Sequence, residues 1–179
     1  EINDKGDSWR IVWVWPTALA DVRVPQPFHE PQRPQGRYQR REPRIYHCHA
    51  TNVIALTYIL PLTDRDFSRA LWQSATECPV VFPEASALPL EVPGGADIAM
   101  ATSEKMKTYQ AAIWAQHGLF ASGPDFDITF GLAHTIEKSA EIYVKVLSMG
   151  GAIRQTITDD DLRAIAHDFG VTLNENFLD

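Results

Sequence analysis

The sequence has little cysteine, no long apolar run and no excess of positive charge, and each absence excludes a class of protein. Only Cys48 and Cys78 occur in 179 residues, too few for a disulfide framework, so a reducing cytoplasm fits best. The net charge of -7 argues against a nucleic-acid partner or an anionic membrane surface. No apolar run reaches the roughly 18 residues of a membrane span, and residues 1–10 lack the pattern of a signal peptide.

The composition that is present is that of an ordinary globular protein. Hydrophobic residues make up 45% of the chain, and 179 residues suffice for a single domain, over residues 1–179, with a substantial core. Strand-like and helix-like patterns interleave along the sequence, and this order predicts an α/β fold.

The predicted elements rest on periodicity and end signals. Helices are expected over residues 63–73, 125–149 and 158–170. The first and third begin with a Thr-x-x-Asp pattern that is typical of a capping box, and the second and third end at glycine. Strands are expected over residues 9–13, 44–49, 78–82, 111–114 and 119–121.

Histidines supply the first indication of chemistry. His47 and His49 flank Cys48 on a predicted strand, and residues two apart on a strand point to the same side. The two imidazoles can therefore hold one metal ion while Cys48 faces away, as a small core residue. A third histidine, His117, precedes Gly118 on another hydrophobic run, and three protein nitrogens would leave a position of Zn²⁺ open for substrate. Cobalt, nickel or iron would also suit three histidines, and separate structural histidines are the simpler alternative.

Four motifs stand in order along the chain with their spacing kept. They are HCHATNVIALTY at residues 47–58, LWQSATECPVVFP at 71–83, WAQHGLFASGP at 114–124 and EKSAEIYVKVLSMGG at 137–151. Together they closely resemble the L-rhamnulose-1-phosphate aldolases, a family of class II zinc aldolases. The resemblance extends from Ile45 to about Leu178.

This resemblance implies a three-layer α/β/α sandwich and a cytoplasmic homotetramer that cleaves a sugar phosphate. The implied reaction converts L-rhamnulose 1-phosphate reversibly to dihydroxyacetone phosphate and L-lactaldehyde. His47, His49 and His117 are the implied ligands of one Zn²⁺ per subunit, which serves as a Lewis acid. Glu77 matches a glutamate that handles the aldehyde proton near the active site, across a subunit boundary. The family carries phosphate-binding loops further upstream, so the domain is expected to be incomplete on its N-terminal side.

Residues 14–44 depart from the family pattern. Six of the twelve prolines fall within residues 16–44, and proline disfavours a helix because it removes a donor and clashes in the helix interior. An irregular segment is therefore expected, with a solvated linker or a basic arm as the alternative. The family places its catalytic glutamate in a TSELP motif here. At that position this sequence has Arg23, which cannot serve as a base because its guanidinium stays protonated.

A change of reading frame would explain the departure. Residues 21–24 can be encoded by GAC GTC CGA GTT, and the same bases read one position later begin Thr-Ser-Glu. Residues 27–32 can likewise be written so that the same shift reads His-Phe-Met-Ser-His, similar to a helix motif of the family. We therefore hypothesise that residues 14–44 are translated out of frame, and a coding sequence without these bases would refute this.

Three functions are open on the sequence alone. The extended motif match favours an aldolase that is impaired by the missing glutamate. A zinc-binding remnant would hold the metal and leave sugar phosphates unchanged. A three-histidine zinc hydratase or hydrolase would instead turn over carbon dioxide or esters and ignore sugar phosphates.

Overall fold

The computed structural model describes residues 44–82, 86–88, 95–150 and 152–179, and for residues 86–88 it describes the backbone. The strands are β1 (Arg44–Cys48), β2 (Ser86–Leu88), β3 (Ala111–Trp114) and β4 (Gly118–Gly123). The helices are α1 (Thr51–Leu56), α2 (Asp64–Trp72), α3 (Cys78–Val81), α4 (Ala96–Lys105), α5 (Phe126–Ser148) and α6 (Asp159–Phe169), followed by a 3-10 turn at Glu175–Phe177. Within these ranges, none of the helices combines the length and apolar character needed to cross a bilayer.

The four strands form one mixed sheet in the order β1-β4-β3-β2. Strand β4 lies antiparallel to both β1 and β3, whereas β2 runs parallel to β3. In the β1–β4 register, His47 lies opposite Phe120 and Cys48 lies opposite Leu119. Because side chains alternate along a strand, His47 and Cys48 belong to opposite faces of the sheet.

Helices cover both faces of this sheet. The larger core joins one face to α1, α2, α3, α5 and α6, and its buried members include Val53, Leu71, Ile113, Leu119 and Ile136. The smaller core lies on the other face and includes Ile98, Met106, Ala112, Trp114 and Phe120. Trp114 Nε1 donates to Thr102 Oγ1 at 2.7 Å and so ties α4 to this second face. The predicted α/β fold class is confirmed, with a sheet between helices.

The three predicted helices are present and begin at the expected caps. The Thr63 hydroxyl accepts the Asp66 N–H at 3.1 Å at the start of α2. The Asp125 carboxylate accepts the Ile128 N–H at 2.8 Å at the start of α5. Helix α6 has the complete capping box and ends at Gly170, whose φ of 63° is the left-handed conformation that glycine adopts without steric cost.

A strand was predicted over residues 78–82, but Cys78–Val81 form helix α3 instead. Pro79 lies in the first helical turn, where its missing N–H needs no partner and its restricted φ suits a helix. This local preference outweighs the β-branched pair that follows it. Phe82 ends the helix fully buried, and its carbonyl accepts the Trp72 indole N–H at 2.8 Å.

Some sequence predictions lie outside the described residues, and some observed elements were not predicted. The strand over 9–13 and the irregular segment over 14–44 lie outside the described residues, except that Arg44 begins β1. Helices α1 and α4 and strand β2 were not predicted. Both helices begin without a side-chain N-cap, at Ala50 and Gly95, so they lack the start signal that identified α2 and α6. Strand β2 has only three residues.

Arg69 joins α2 to α6 and to the residues after the 3-10 turn. Its Nη2 lies 2.8 Å from Asp159 Oδ1 and 3.0 Å from Asp179 Oδ2, and its Nη1 donates to the Phe177 carbonyl at 3.2 Å. Burial by itself raises the pKa of Asp159. The Asp179 N–H and the Arg69 guanidinium outweigh that effect, so the pKa lies below its ordinary value.

The lowered pKa of Asp159 predicts that this contact stabilises the fold least in acid. A carboxyl with a lower pKa in the folded state stabilises above its unfolded pKa of about 3.9, and the contribution is lost as pH falls through the folded pKa. Asp159→Asn should lower the free energy of unfolding at neutral pH and flatten its decline below about pH 5. Urea unfolding at neutral and acidic pH measures both effects. Asp160→Asn, at a side chain 97% exposed, should behave like the parent, and an equally steep acid loss in Asp159→Asn would contradict the assignment.

Candidate metal centre

Two imidazoles lie at the end of β1. His47 belongs to the strand and is half-buried, with its ring stacked on Phe120 at a centroid distance of 4.0 Å. His49 follows the last strand residue and is exposed, and its ring centroid lies 5.1 Å from that of His47. The pair therefore has one member anchored against the sheet and one open to solvent.

The third imidazole comes from the turn between β3 and β4. Gln116 has a φ of 55°, which bends the chain sharply just before His117. Gly118 follows, and a Cβ placed on it would lie 2.4 Å from the Cys48 carbonyl oxygen. Because glycine is the one residue without a Cβ, the turn can approach the end of β1 closely enough to bring His117 beside His47.

The three histidines form one cluster. A ring nitrogen from each lies within 4.8 Å of the others. Zn²⁺ binds imidazole nitrogen at about 2.0–2.1 Å, so nitrogens that share one ion lie at most about 4.2 Å apart and a spread of up to 4.8 Å would have to narrow on binding. The rings of His47 and His117 are parallel within 3° at 5.3 Å, and that of His49 meets His117 at 4.8 Å. The cluster can hold a metal ion.

A backbone contact determines which ring nitrogen of His47 is free to bind a metal. Its Nδ1 lies 3.0 Å from the Leu119 carbonyl oxygen. A carbonyl only accepts, so Nδ1 carries the hydrogen and Nε2 is left with a lone pair for a metal. Such outer contacts commonly set the tautomer and orientation of a metal-binding histidine.

Burial favours the neutral imidazoles that metal binding requires. It is the largest influence on the pKa of His47, which lies below its ordinary value despite the opposing Leu119 contact, with His117 and His49 lowering it further. The pKa of His117 is also lowered, chiefly by burial and then by His49. A metal ion competes with protons for the ring nitrogens. Because a lowered pKa favours the unprotonated ring, both histidines can act as ligands near neutral pH.

No cysteine or carboxylate among the described residues joins the three imidazoles. Cys48 packs against the larger core on the opposite face of the sheet, as the strand alternation predicted. Its pKa is raised, first by burial and then by the nearby Glu137 charge, so its thiol is a poor ligand there. Three nitrogens without a fourth protein ligand resemble a catalytic rather than a closed structural site.

Of the two other positions that the sequence singled out, Glu77 and Arg23, the structure describes one. Glu77 is exposed at the N-terminus of α3, a helix that packs against α5 and α6, and its carboxylate accepts a long 3.4 Å bond from Thr76 Oγ1. It is not part of the imidazole cluster within one chain, and its role across a subunit boundary stays a prediction. Arg23 lies outside the described residues. His134 and His167 are exposed, as expected for histidines that are not ligands.

Two residues that the sequence did not single out hold the backbone around the cluster. Glu137 of α5 binds the start of α1, and Gln116 binds Thr57 at its end. These contacts join residues 85 and 59 positions apart, so no local pattern signals them. The only hint was that both lie in family-like motifs, Glu137 at the start of the fourth and Gln116 within the third.

The sheet between helices and the three clustered histidines define a protein of the class II aldolase type. The chain belongs to the Class II Aldolase and Adducin N-terminal domain family, whose model matches residues 38–144. A rhamnulose-1-phosphate aldolase of Mannheimia succiniciproducens is 53% identical over 185 aligned positions, which cover 99% of this chain and 66% of that protein. The enzyme of the same name from Listeria innocua is 49% identical over 135 positions, 75% of this chain and 49% of that protein.

The fold of this chain is also similar to that of a solved structure. The sugar-phosphate aldolase of Thermotoga maritima superposes with a TM-score of 0.52 and 28% identity, over 61% of this chain and 47% of that one. The predicted family membership is thereby confirmed. The chain spans about half to two thirds of the length of the curated relatives it matches.

Proposed function

We propose that this chain carries the metal centre of an aldolase that cleaves L-rhamnulose 1-phosphate to dihydroxyacetone phosphate and L-lactaldehyde. The observation that carries the proposal is the cluster of three imidazoles with ring nitrogens within 4.8 Å of one another. They lie in the part of the chain with 49% identity to a rhamnulose-1-phosphate aldolase. Zn²⁺ is the proposed ion, with His47, His49 and His117 as its ligands.

The residues of the centre divide the work of binding and orientation. A bound Zn²⁺ supplies Lewis acidity toward the oxygen atoms of a sugar phosphate. His47 is held by the Leu119 carbonyl and by the Phe120 ring, so its position is set before any ion arrives. His49 is exposed, which leaves the centre accessible from solvent. We further propose that Glu77 acts from a neighbouring subunit of a cytoplasmic homotetramer.

Aldol cleavage also needs a group that moves protons, and the chain as written lacks the expected one. Arg23 stands at the position of the family glutamate and stays protonated. Losing a positioned acid or base typically lowers the rate about 10²- to 10⁴-fold. We therefore propose an impaired aldolase. The second candidate, a metal-binding remnant without catalysis, is favoured by the same arginine and by the absence of a carboxylate from the cluster within the described ranges.

The coding DNA and a frame-restored protein test this proposal together. The bases encoding residues 13–47 are resequenced with their upstream flank, and the protein is expressed from the natural start codon with residues 14–44 in each frame. Restoring Thr-Ser-Glu should raise the rate of dihydroxyacetone phosphate release about 10²- to 10⁴-fold. Arg23→Glu alone is the control, because it adds a carboxylate without the rest of the motif.

The outcomes separate the candidates. Weak cleavage in the written frame that rises on restoration supports the impaired aldolase. Metal binding without detectable cleavage in the written frame supports the remnant, whether or not the restored frame is active. Full activity in the written frame would contradict the need for the glutamate, and turnover of esters instead of sugar phosphate would favour a hydrolase.

A further inference from the structure

Helix α1 connects the two parts of the chain that supply the imidazoles. It begins at Thr51, two residues after His49. Its N-cap residue is Ala50, which has no side-chain acceptor, so the first N–H groups of the helix need partners from elsewhere.

Glu137 of α5 supplies those partners. Its Oε1 accepts the Asn52 backbone N–H at 3.0 Å and the Asn52 side-chain amide at 2.7 Å, and its Oε2 accepts the Val53 N–H at 3.1 Å. The two backbone donors are the second and third of the helix, the ones a cap residue usually satisfies. A carboxylate there is favoured twice, by charge-assisted hydrogen bonds and by the positive end of the helix dipole.

The other end of α1 is bound to the turn that carries His117. The Gln116 N–H donates to Thr57 Oγ1 at 3.0 Å, and the Gln116 side-chain amide donates to the Thr57 carbonyl at 3.1 Å. Thr57 is the residue that caps α1 at its C-terminal end. Movement of α1 would therefore be transmitted both to His49 and to His117.

We propose that Glu137 is a positioning residue of the metal centre, which sets the spacing between His49 and His117 by fixing α1 between them. The proposal rests on the metal-binding role given above. A residue that only stabilised the fold would alter the free energy of unfolding and leave the affinity of the folded protein for metal unchanged. A positioning residue alters both the affinity and the ligand geometry around the ion.

Glu137→Gln is the direct test, with Co²⁺ as the probe metal because its visible absorption reports ligand geometry. Glutamine keeps the size and one acceptor, but it loses the charge and points an N–H at a backbone donor. We expect Co²⁺ binding to weaken about 10- to 100-fold, as for other outer contacts of metal-binding histidines, with a changed visible spectrum.

Glu141→Gln is the matched control, one turn further along α5. Glu141 pairs with Lys138 and Lys145, which belong to its own helix. Because exposed ion pairs contribute little, Co²⁺ affinity should stay within about 2-fold of the parent. An equal loss in this variant would overturn the proposal, since a general effect of removing charge from α5 would explain both.

Asn52→Ala is a second test of the proposal, which applies even if Glu137→Gln does not fold. It removes the 2.7 Å side-chain bond and leaves both backbone bonds, so the Co²⁺ affinity should fall by about 3- to 10-fold. Urea unfolding of each metal-free protein is recorded beside the titration. Variants that are less stable yet bind Co²⁺ with the affinity and spectrum of the parent would overturn the positioning role and leave the metal centre standing. A parent chain that binds no Co²⁺ would overturn both.

Discussion

Replacing His117 by alanine is expected to remove stable metal binding from the chain. The residue supplies one of three clustered nitrogens, and the described residues place no cysteine or carboxylate beside it to substitute. Two imidazoles from one strand end would remain, so the loss of affinity should exceed the roughly 100-fold upper range seen for outer contacts. Metal content after dialysis and a Co²⁺ titration measure the effect.

His167→Ala is the control for this prediction. That side chain is 88% exposed and its ring contacts the neighbouring Asp168, so one equivalent of metal should stay bound. Unchanged metal content in His117→Ala would show that the ion lies elsewhere.

Gly118→Ala is expected to be the most destabilising single-methyl change at the centre. The added Cβ would lie 2.4 Å from the Cys48 carbonyl oxygen and 3.2 Å from His49 Cα, both backbone atoms that cannot rotate away. Overpacking of this kind costs about 1–3 kcal/mol, and a backbone clash places the change at the upper end. The hairpin would have to move from β1, and His117 with it, so metal affinity should fall together with the urea midpoint.

Gly131→Ala is the matched control, and it is expected to raise the stability that Gly118→Ala lowers. Gly131 lies within α5, and nothing lies within 4 Å of the position of its Cβ. Alanine in a helix interior is more favourable than glycine by about 0.5–1 kcal/mol, so this variant should be slightly more stable than the parent. A Gly118→Ala protein as stable as the parent would contradict the close approach of the turn to β1.

Both predictions concern contacts between β1 and the β3–β4 turn, about seventy residues apart in the chain. The His47 Nδ1 bond to the Leu119 carbonyl spans 72 positions and belongs to the same junction. The positions of the ligands and the tautomer of His47 are thus decided where two strands meet and not within either motif.

Features that depend on neighbouring residues were predictable from the sequence. Helix α6 begins and ends at the residues that its Thr-x-x-Asp and glycine signals indicated, because capping is a contact between residues three or four apart. The opposite facing of His47 and Cys48 follows from strand alternation in the same way. The failure at α3 shows the limit, since residues predicted as a strand form a short helix with Pro79 in its first turn.

By itself, the sequence determined the α/β class, the family, and which three histidines are candidates to bind a metal. Only the tertiary structure decided that these histidines cluster and that Leu119 leaves Nε2 of His47 free for a metal. The contacts of Glu137 and Gln116 with the two ends of α1 were likewise decided there. The physical reason is sequence distance. Caps and strand alternation are local and leave a local pattern, whereas hydrogen bonds and close approaches between distant segments form only when the whole fold brings them together.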